Sequence, residues 1–329
     1  MSVSVRWPIH TIVTHPRPHL DELAAVWAAR RFGEEKYPGA EGASLEYFSP
    51  ETHLDGRSED EWLGDGFLFV GVRGGRFDDH PHHRFPSDCA FTLLLKDLGK
   101  EKDPGVQKIA RDVLTEDRNG APSSLHLASI IKAKHRVVGI LDVARDVDLS
   151  LEALYAQQLS FHEAVDIVRK IQPICVFNEQ TQRQLILVIA ESENPDISPA
   201  ARWKEGAHAA LVVHRHPVRS DGTGGTTYIS TNDNLGIQKV GWLVKELRWA
   251  EQAQKGEIVV RDQQRLQADG VLPEIPEWYH HEAAAQIYNG SLTAPNVPRT
   301  RLSLKQIEDL CVRFLHSYPR FRGRQDERI

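Results

Sequence analysis

Histidine and aspartate residues that could bind divalent metal ions are concentrated in two short stretches of this 329-residue chain. The first stretch contains His15, His19 and Asp21 and begins at the end of a short β-branched segment. The second, Asp78–His83, holds two aspartates and three histidines in six positions, after an apolar segment and a glycine turn. Imidazole together with carboxylate suits Mn, Fe or Zn better than Ca, which prefers oxygen alone. The residue types therefore predict a site for divalent metal ions.

Each stretch also has an ordinary structural interpretation. His15 and His19 neighbour prolines and could be turn residues, and Asp21 could be an acid that the dipole of a helix favours near its N-terminus. The second stretch could be a solvated histidine-rich loop with incidental metal affinity. The two stretches together favour the metal site, because parallel strands bring the loops at their carboxyl ends to one edge of a sheet.

The elements that would hold these residues alternate between strand and helix. Short β-branched or apolar segments predict strands at His10–His15, Ser44–Phe48 and Phe67–Val72, the last being apolar throughout, as in a strand covered on both faces. Helical spacing of apolar residues predicts helices at 20–28, 89–98, 106–114 and 125–134. This alternation predicts a mainly parallel sheet in a three-layered arrangement.

The second half of the chain begins after one long helical pattern. Ser150–Ile171 is amphipathic and lacks Gly and Pro, and Pro173 ends it. Strands are predicted at 185–190, 209–213 and 226–230 and helices at 237–252 and 304–315, while 256–298 looks loop-like in places. The predicted class is α/β, with a parallel-sheet N-terminal domain over 1–149, a connecting helix over 150–172 and a smaller α+β domain over 173–329.

Composition limits the partners and the compartment. The formal charge of −6 argues against non-specific coating of nucleic acid and fits short substrates better than long duplexes. The three cysteines form no complete disulfide framework, which indicates a reducing compartment. Neither a secretory signal pattern nor an apolar run of about 20 residues is present, so we expect a cytoplasmic protein that does not bind membranes. The sequence does not indicate an oligomeric state.

The two metal-binding stretches resemble the DHH phosphoesterase superfamily, and within it the branch related to the melanocyte-proliferating-gene exonuclease. The opening Thr-His and His-x-Asp-Glu pattern of that branch is similar to Thr14, His15, His19, Asp21 and Glu22. Its later Gly-Gly-x-Tyr-Asp stretch, which leads to Asp-His-His, is similar to Gly74, Gly75, Phe77, Asp78, Asp79 and His80. The resemblance extends to about residue 120 and is thin beyond it.

The resemblance implies a DHH-like N-terminal domain that uses two Mn²⁺ or Mg²⁺ ions to hydrolyse phosphoesters. Two ions about 3.5–4 Å apart would activate a bridging water and neutralise charge on the phosphate. Glu22 or Asp78 could orient the histidines as hydrogen-bond acceptors, and His82 or His83 could protonate the leaving oxygen. The implied metal ligands are His15, His19, Asp21, Asp79, His80 and Asp117, with Asp112 as the alternative to Asp117.

Two departures from the family pattern bear on catalysis. Gly71 stands where the family commonly has an aspartate at the end of the third strand, and Asp78 could replace that carboxylate. The Asp-His-His run is split, so either His82 or His83 could take the place of the second histidine. A catalytically inactive metal-binding sensor or scaffold with the same fold is therefore the alternative function. A third hypothesis uses the same ions to hydrolyse an amide.

The C-terminal half is expected to bind the substrate. Basic residues and a glycine turn could clamp a phosphate, the arginines through paired hydrogen bonds and the glycines through backbone amides. An ordinary β-hairpin with solvated basic residues explains the same pattern equally well. The predicted function is an exonuclease-like phosphoesterase that acts on short single-stranded nucleic acid or small nucleotides. The substrate-binding candidates are Arg215, His216, Arg219, Gly224 and Gly225.

Overall fold

The computed structural model describes residues 6–48, 56–72, 75–79, 87–218, 220, 225–291, 294 and 296–318. The chain divides into two units, residues 1–159 and 160–329, and each has its own hydrophobic core. Every metal-binding position predicted from the sequence falls in unit 1, and every predicted substrate-binding position falls in unit 2.

Unit 1 contains a three-stranded parallel sheet. Its strands are β1 (Thr11–Thr14), β2 (Ser44–Tyr47) and β3 (Phe67–Phe69), in the order β2-β1-β3. β1 pairs in parallel with both neighbours and is buried along its whole length, which is why its sequence is β-branched and apolar. The prediction of a mixed α/β protein with a parallel sheet is confirmed. The third strand is shorter than predicted, since it ends at Phe69.

Among the described residues, six α-helices pack in unit 1 or begin there. α1 is buried at every residue from Leu20 to Ala29 because four alanines let neighbouring elements approach closely. α4 begins with an Asp103 cap and a proline in its first turn. It continues beyond the predicted end at Leu114. The helices are α1 (Leu20–Phe32), α2 (Glu59–Gly64), α3 (Ala90–Asp97), α4 (Pro104–Asn119), α5 (Leu127–Lys134) and α6 (Ile140–Lys170).

The long helix α6 begins at Ile140 rather than at Ser150. Its first part packs Val143, Val147 and Leu151 into the core of unit 1, but Leu141 and Leu149 are exposed by 59% and 65%. These exposed leucines blur the amphipathic pattern, and the start predicted from the sequence is therefore too late. Within the described residues, no helix has the length and apolar character needed to cross a membrane.

Unit 2 is built on a seven-stranded mixed sheet. The strand order is β4-β5-β6-β7-β10-β9-β8; β5 and β6 are parallel, and the other neighbouring pairs are antiparallel. The strands are β4 (Ile174–Asn178), β5 (Arg183–Glu191), β6 (Leu211–Arg215), β7 (Thr227–Thr231), β8 (Gly270–Leu272), β9 (Ile275–His281) and β10 (Gln286–Asn289). The helices are α7 (Ile197–Arg202), α8 (Gly241–Lys255), α9 (Gln263–Gln267) and α10 (Leu304–Ser317).

The segment 256–298 is more regular than its composition suggested. It contains α9 and three strands of the sheet, and Trp278 within it is fully buried. Arg248 of α8, also fully buried, organises this edge of the sheet because its guanidinium donates to backbone carbonyls there. A contact between distant parts of the chain therefore orders residues whose local sequence favours loops. The carbonyls belong to Leu266, Ala268, Gly270 and Trp278.

Candidate metal centre

The first set of candidate ligands lies on the short connection between β1 and α1. β1 ends at Thr14 and α1 begins at Leu20, so the connection carries His15 and His19. Two prolines restrict its backbone, and the Nε2 atom of His135 is hydrogen-bonded to the carbonyl of Pro18 at 3.0 Å. His135, which directly follows α5, thus holds the loop that presents both histidines.

His15, His19 and Glu22 form a compact group of donors. One ligand atom from each lies within 4.8 Å of the other two. The Nε2 atom of His15 lies 2.9 Å from Oε1 of Glu22, and the backbone N–H of His19 donates to Oε2 of Glu22 at 2.6 Å. The Glu22 side chain is fully buried, whereas His19 is exposed. The group is therefore closed at the glutamate and open to solvent at His19.

Asp21 is the most unusual acid of this region. It is 1% exposed, and among the residues that the structure describes no amine, amide or hydroxyl donor reaches either carboxylate oxygen; only the carboxyl group of Glu22 lies near enough to share a proton with it. Burial raises the pKa of Asp21 well above its ordinary value; the charge of Glu22 and a hydrogen bond with its carboxyl group raise the pKa further, as do the charges of Asp117 and Asp79. A buried polar group without a partner destabilises a fold, and a charged group does so more strongly. A bound cation would remove both costs at this position.

Asp79 and Asp117 reach Asp21 from two other elements. Asp79 follows β3 through a turn in which the N–H of Gly71 donates to the carbonyl of Phe77 at 2.9 Å. Asp117 lies in the last turn of α4. Both acids are close enough for their charges to raise the pKa of Asp21. Carboxylates from three separate parts of the chain therefore interact electrostatically in this region, although the donors that lie within 4.8 Å of one another are those of His15, His19 and Glu22.

The structure separates Asp117 from its alternative, Asp112. The side chain of Asp112 is 57% exposed, and its carboxylate lies 3.6 Å from the guanidinium of Arg111. Asp117 is half-buried and interacts electrostatically with Asp21. Asp21, Glu22 and Asp79 are called the acidic group below. Because Asp112 and Asp117 occupy different faces of one helix, only Asp117 is placed to join it.

Cys89 is a buried thiol whose pKa responds to the charge of Asp21. It is fully buried just before α3. Burial, followed by the charge of Asp21, raises the pKa of the Cys89 thiol to about 12. In the metal-free chain the thiol therefore stays protonated near neutral pH.

Asp78 lies among the residues that the structure describes, and it is buried, with an exposure of 4%. Several other predicted site residues lie outside the described ranges. The positions that lie outside the described residues are His80, His82, His83, Arg219 and Gly224.

Gly71 occupies the position where the family resemblance implied an aspartate. Its φ is +65°, in the region that favours glycine. A Cβ atom built on it would lie 2.3 Å from Cγ of Glu22. The side chain of Glu22 therefore fills the space next to the end of β3. The sequence indicates only an orienting role for Glu22, and glycine at position 71 is the available signal that another carboxylate could occupy this space.

In unit 2 the candidate phosphate-binding residues lie at a β-hairpin. Arg215 ends β6, and its guanidinium donates to Oγ1 of Thr227 and to the carbonyl of Leu302, both at 3.1 Å. Gly225, with φ of +74°, donates from its backbone N–H to the carbonyl of His216 at 3.0 Å. The antiparallel pairing of β6 with β7 agrees with the hairpin alternative. These two contacts of Arg215 are structural, and a phosphate-binding role for it stays a prediction.

Comparisons with known proteins give little further information. No protein-family model matches the chain, and no curated protein matches it in sequence. It is similar to the crystal structure of RecJ in complex with Mg²⁺ from Thermus thermophilus, at a TM-score of 0.28 and 13% identity. The similarity covers 94% of this chain and 50% of the RecJ chain, so this chain spans about half the length of that structure. A TM-score of 0.28 does not establish a shared fold or activity.

Proposed function

We propose that the chain is a divalent-metal-dependent phosphoesterase of the DHH type. The observation that carries the proposal is Asp21, a buried carboxylate that no amine, amide or hydroxyl donor reaches among the described residues, and whose pKa is raised by the charges of Glu22, Asp117 and Asp79. Two histidines on the loop after β1 form a compact donor group with Glu22, the residue that follows Asp21 in the chain. A group of acids with such mutual repulsion is stabilised when it holds cations.

The donor set fits a divalent transition metal. Imidazole and carboxylate ligands together are typical of Mn, Fe and Zn sites. An octahedral ion with bonds of about 2.1 Å separates adjacent ligand atoms by about 3 Å. Nε2 of His15 and Oε1 of Glu22 lie 2.9 Å apart, a distance that matches a hydrogen bond in the metal-free chain and also this separation. The resemblance described above adds the expectation of two Mn²⁺ or Mg²⁺ ions.

The protein groups would have distinct roles in hydrolysis. Bound ions supply activation of a water and neutralisation of phosphate charge. Asp21, Asp79 and Asp117 provide the negative charge that holds cations close together, while the proline-restricted loop fixes the direction of His15 and His19. His82 or His83, in the proposal, donates a proton to the leaving oxygen.

The substrate is proposed to be an oligonucleotide end or a small nucleotide. The donor group is open to solvent at His19 and closed at Glu22, so a phosphate would approach from the side of His19. The net charge of −6 favours a substrate with few phosphates, because each phosphate contact needs a local cation. Arg215 and Arg219 stay the proposed phosphate-binding residues of the chain.

The test is cleavage by the full chain, purified with Mn²⁺. Short single-stranded RNA, single-stranded DNA and dinucleotides are offered with and without the metal, and products are separated by size. We expect Mn²⁺-dependent cleavage that Asp21→Asn abolishes and Asp112→Asn leaves unchanged. Metal binding without cleavage of any of these substrates would remove the claim of catalysis.

A non-catalytic metal sensor or scaffold is the second candidate function. Gly71 favours it, because the family pattern implies a carboxylate where this chain has no side chain. Metal stoichiometry separates the two hypotheses, since hydrolysis by the proposed mechanism needs two ions per chain. One ion per chain, together with an absence of cleavage, would favour the sensor.

A further inference from the structure

The lack of a side chain at position 71 has a direct structural consequence. A Cβ atom on Gly71 would meet Cγ of Glu22 at 2.3 Å, and Cδ and Oε1 of the same residue at 3.2 Å. The three nearest atoms therefore all belong to Glu22. Gly71 makes room for one particular carboxylate side chain.

That side chain is positioned through both of its oxygens. Oε1 of Glu22 lies 2.9 Å from Nε2 of His15, and Oε2 accepts a hydrogen bond from the N–H of His19 at 2.6 Å. The side chain is fully buried.

We infer that Glu22 is a direct metal ligand, and that Gly71 and Glu22 form a matched pair in which α1 supplies the carboxylate that the end of β3 lacks. This inference rests on the proposed metal-dependent function. The donors of His15, His19 and Glu22 lie within 4.8 Å of one another. Opposite ligands of one ion with bonds of about 2.1 Å are about 4.2 Å apart. A small inward shift would bring all three donors into one coordination sphere.

A role for Glu22 as an outer acceptor is the competing explanation. The N–H of Arg17 donates to Nδ1 of His15 at 3.3 Å, so in the metal-free chain Nε2 of His15 carries the proton and donates to Glu22. An outer acceptor would keep that hydrogen bond when His15 binds metal through Nδ1. A direct ligand would instead bind an ion that takes the place of the shared proton. The two roles predict different effects of removing the charge while retaining the shape.

Glu22→Gln is the decisive variant, because glutamine has nearly the same shape and can still accept from His15. Mn²⁺ binding to the full chain is measured by isothermal titration calorimetry, and Co²⁺ binding by visible absorption at saturation. We expect the affinity for Mn²⁺ to fall by more than about 100-fold, which is more than is typical when a residue that contacts a ligand but not the ion is replaced. We also expect the Co²⁺ spectrum to change. A smaller loss, or an unchanged spectrum, would overturn the assignment.

Gly71→Ala tests the matched pair. We expect it to weaken Mn²⁺ binding as much as Glu22→Ala does, because the new Cβ displaces the glutamate. In the Glu22→Ala background the same substitution should cost no further affinity, since the obstructing side chain is absent. Full additivity of the two losses would refute the pairing, and if Gly71→Ala fails to fold, Glu22→Gln still decides the ligand role.

The failure of this inference can be distinguished from the failure of the proposed function. If the unmodified chain binds no Mn²⁺, the proposed function fails. If it binds Mn²⁺ and cleaves a substrate while Glu22→Gln binds equally well, only the role of Glu22 is wrong.

Discussion

Asp21→Asn should stabilise the metal-free protein and abolish its stabilisation by metal. Asparagine retains the size of the side chain and removes a charge that is buried next to Glu22, Asp117 and Asp79. Burial and the acids around Asp21 raise its pKa, which shows that its charged form is disfavoured where it lies. The substitution therefore removes an unfavourable term from the folded state.

The magnitude follows from the buried carboxylate. An unsatisfied buried polar group costs about 1–3 kcal/mol, and a charged group costs more. The introduced amide is also buried and has a cost of its own. The gain in free energy of unfolding is therefore the cost of the carboxylate minus the cost of the amide, and we expect it to be about 1–3 kcal/mol. Unit 1 has 159 residues. For a unit of this size 1 kcal/mol corresponds to about 2–4 °C in Tm, and the expected rise is about 2–12 °C.

Metal should reverse the order of stability. At a free concentration one hundred times Kd, each bound ion adds about 2.7 kcal/mol to the folded state. The unmodified chain gains that free energy, and the Asp21→Asn variant loses most of it with its ligand. Differential scanning calorimetry with excess chelator and then with Mn²⁺ measures both Tm values for both proteins. Asp112→Asn is the matched control, because Asp112 is exposed and paired with Arg111.

Two results would refute this reasoning. If Asp21→Asn lowers Tm in the presence of chelator, the carboxylate makes a favourable contact that the described residues do not contain. If Mn²⁺ raises the Tm of the variant as much as that of the unmodified chain, Asp21 is not a ligand.

Three further predictions concern other parts of the chain. Asp117→Asn should weaken Mn²⁺ binding at least tenfold in calorimetry, a loss of about 1.4 kcal/mol, whereas equal affinities with Asp112→Asn would contradict the assignment. Gly105→Ala should lower the free energy of unfolding in urea by about 1–3 kcal/mol, because the new Cβ would meet the Tyr155 ring at 2.3 Å and this overlap outweighs the helix preference of alanine. Gly42→Ala is the control, since a Cβ at position 42 would meet nothing within 4 Å. Burial lowers the pKa of His214 in the folded chain below its ordinary value of about 6.5. As pH falls below about 6.5, the unfolded chain therefore binds a proton more readily than the folded chain, and the free energy of unfolding should decrease. Thermal unfolding of His214→Gln should depend less on pH in that range, and an equal dependence would contradict the prediction.

Hydrophobic patterning predicted those elements whose burial is set by local sequence. The central strand β1 is buried on both faces, and its β-branched residues indicated it within one residue at each end. Prediction was poorer where the pattern was mixed, as at the start of α6 with exposed Leu141 and Leu149. It was poorest for 256–298, since the buried guanidinium of Arg248 organises that segment from a distant helix.

The candidate site shows the same division between local and distant information. The direct sequence link between β1 and α1 made it possible to predict that His15, His19 and Asp21 share one loop and helix start. The choice between Asp112 and Asp117 depended on how far α4 extends and which face it buries, and these are tertiary properties. The place of Glu22 depended on a missing Cβ at the end of another strand, which no local pattern encodes.

The carboxylates of the acidic group come from separate elements, and packing elsewhere in unit 1 holds them near one another. Carboxylates that converge in the interior repel one another, so the folded state must hold them through contacts made elsewhere. α1 does so through its buried alanine-rich face, and α4 through Val106, Ile109 and Val113 in the same core. Hydrophobic packing thus stabilises an electrostatically unfavourable arrangement that a cation can relieve. The proposed function therefore predicts that binding of metal and the stability of unit 1 are coupled, and that a substitution of a ligand that lowers the repulsion without metal also lowers the affinity for metal.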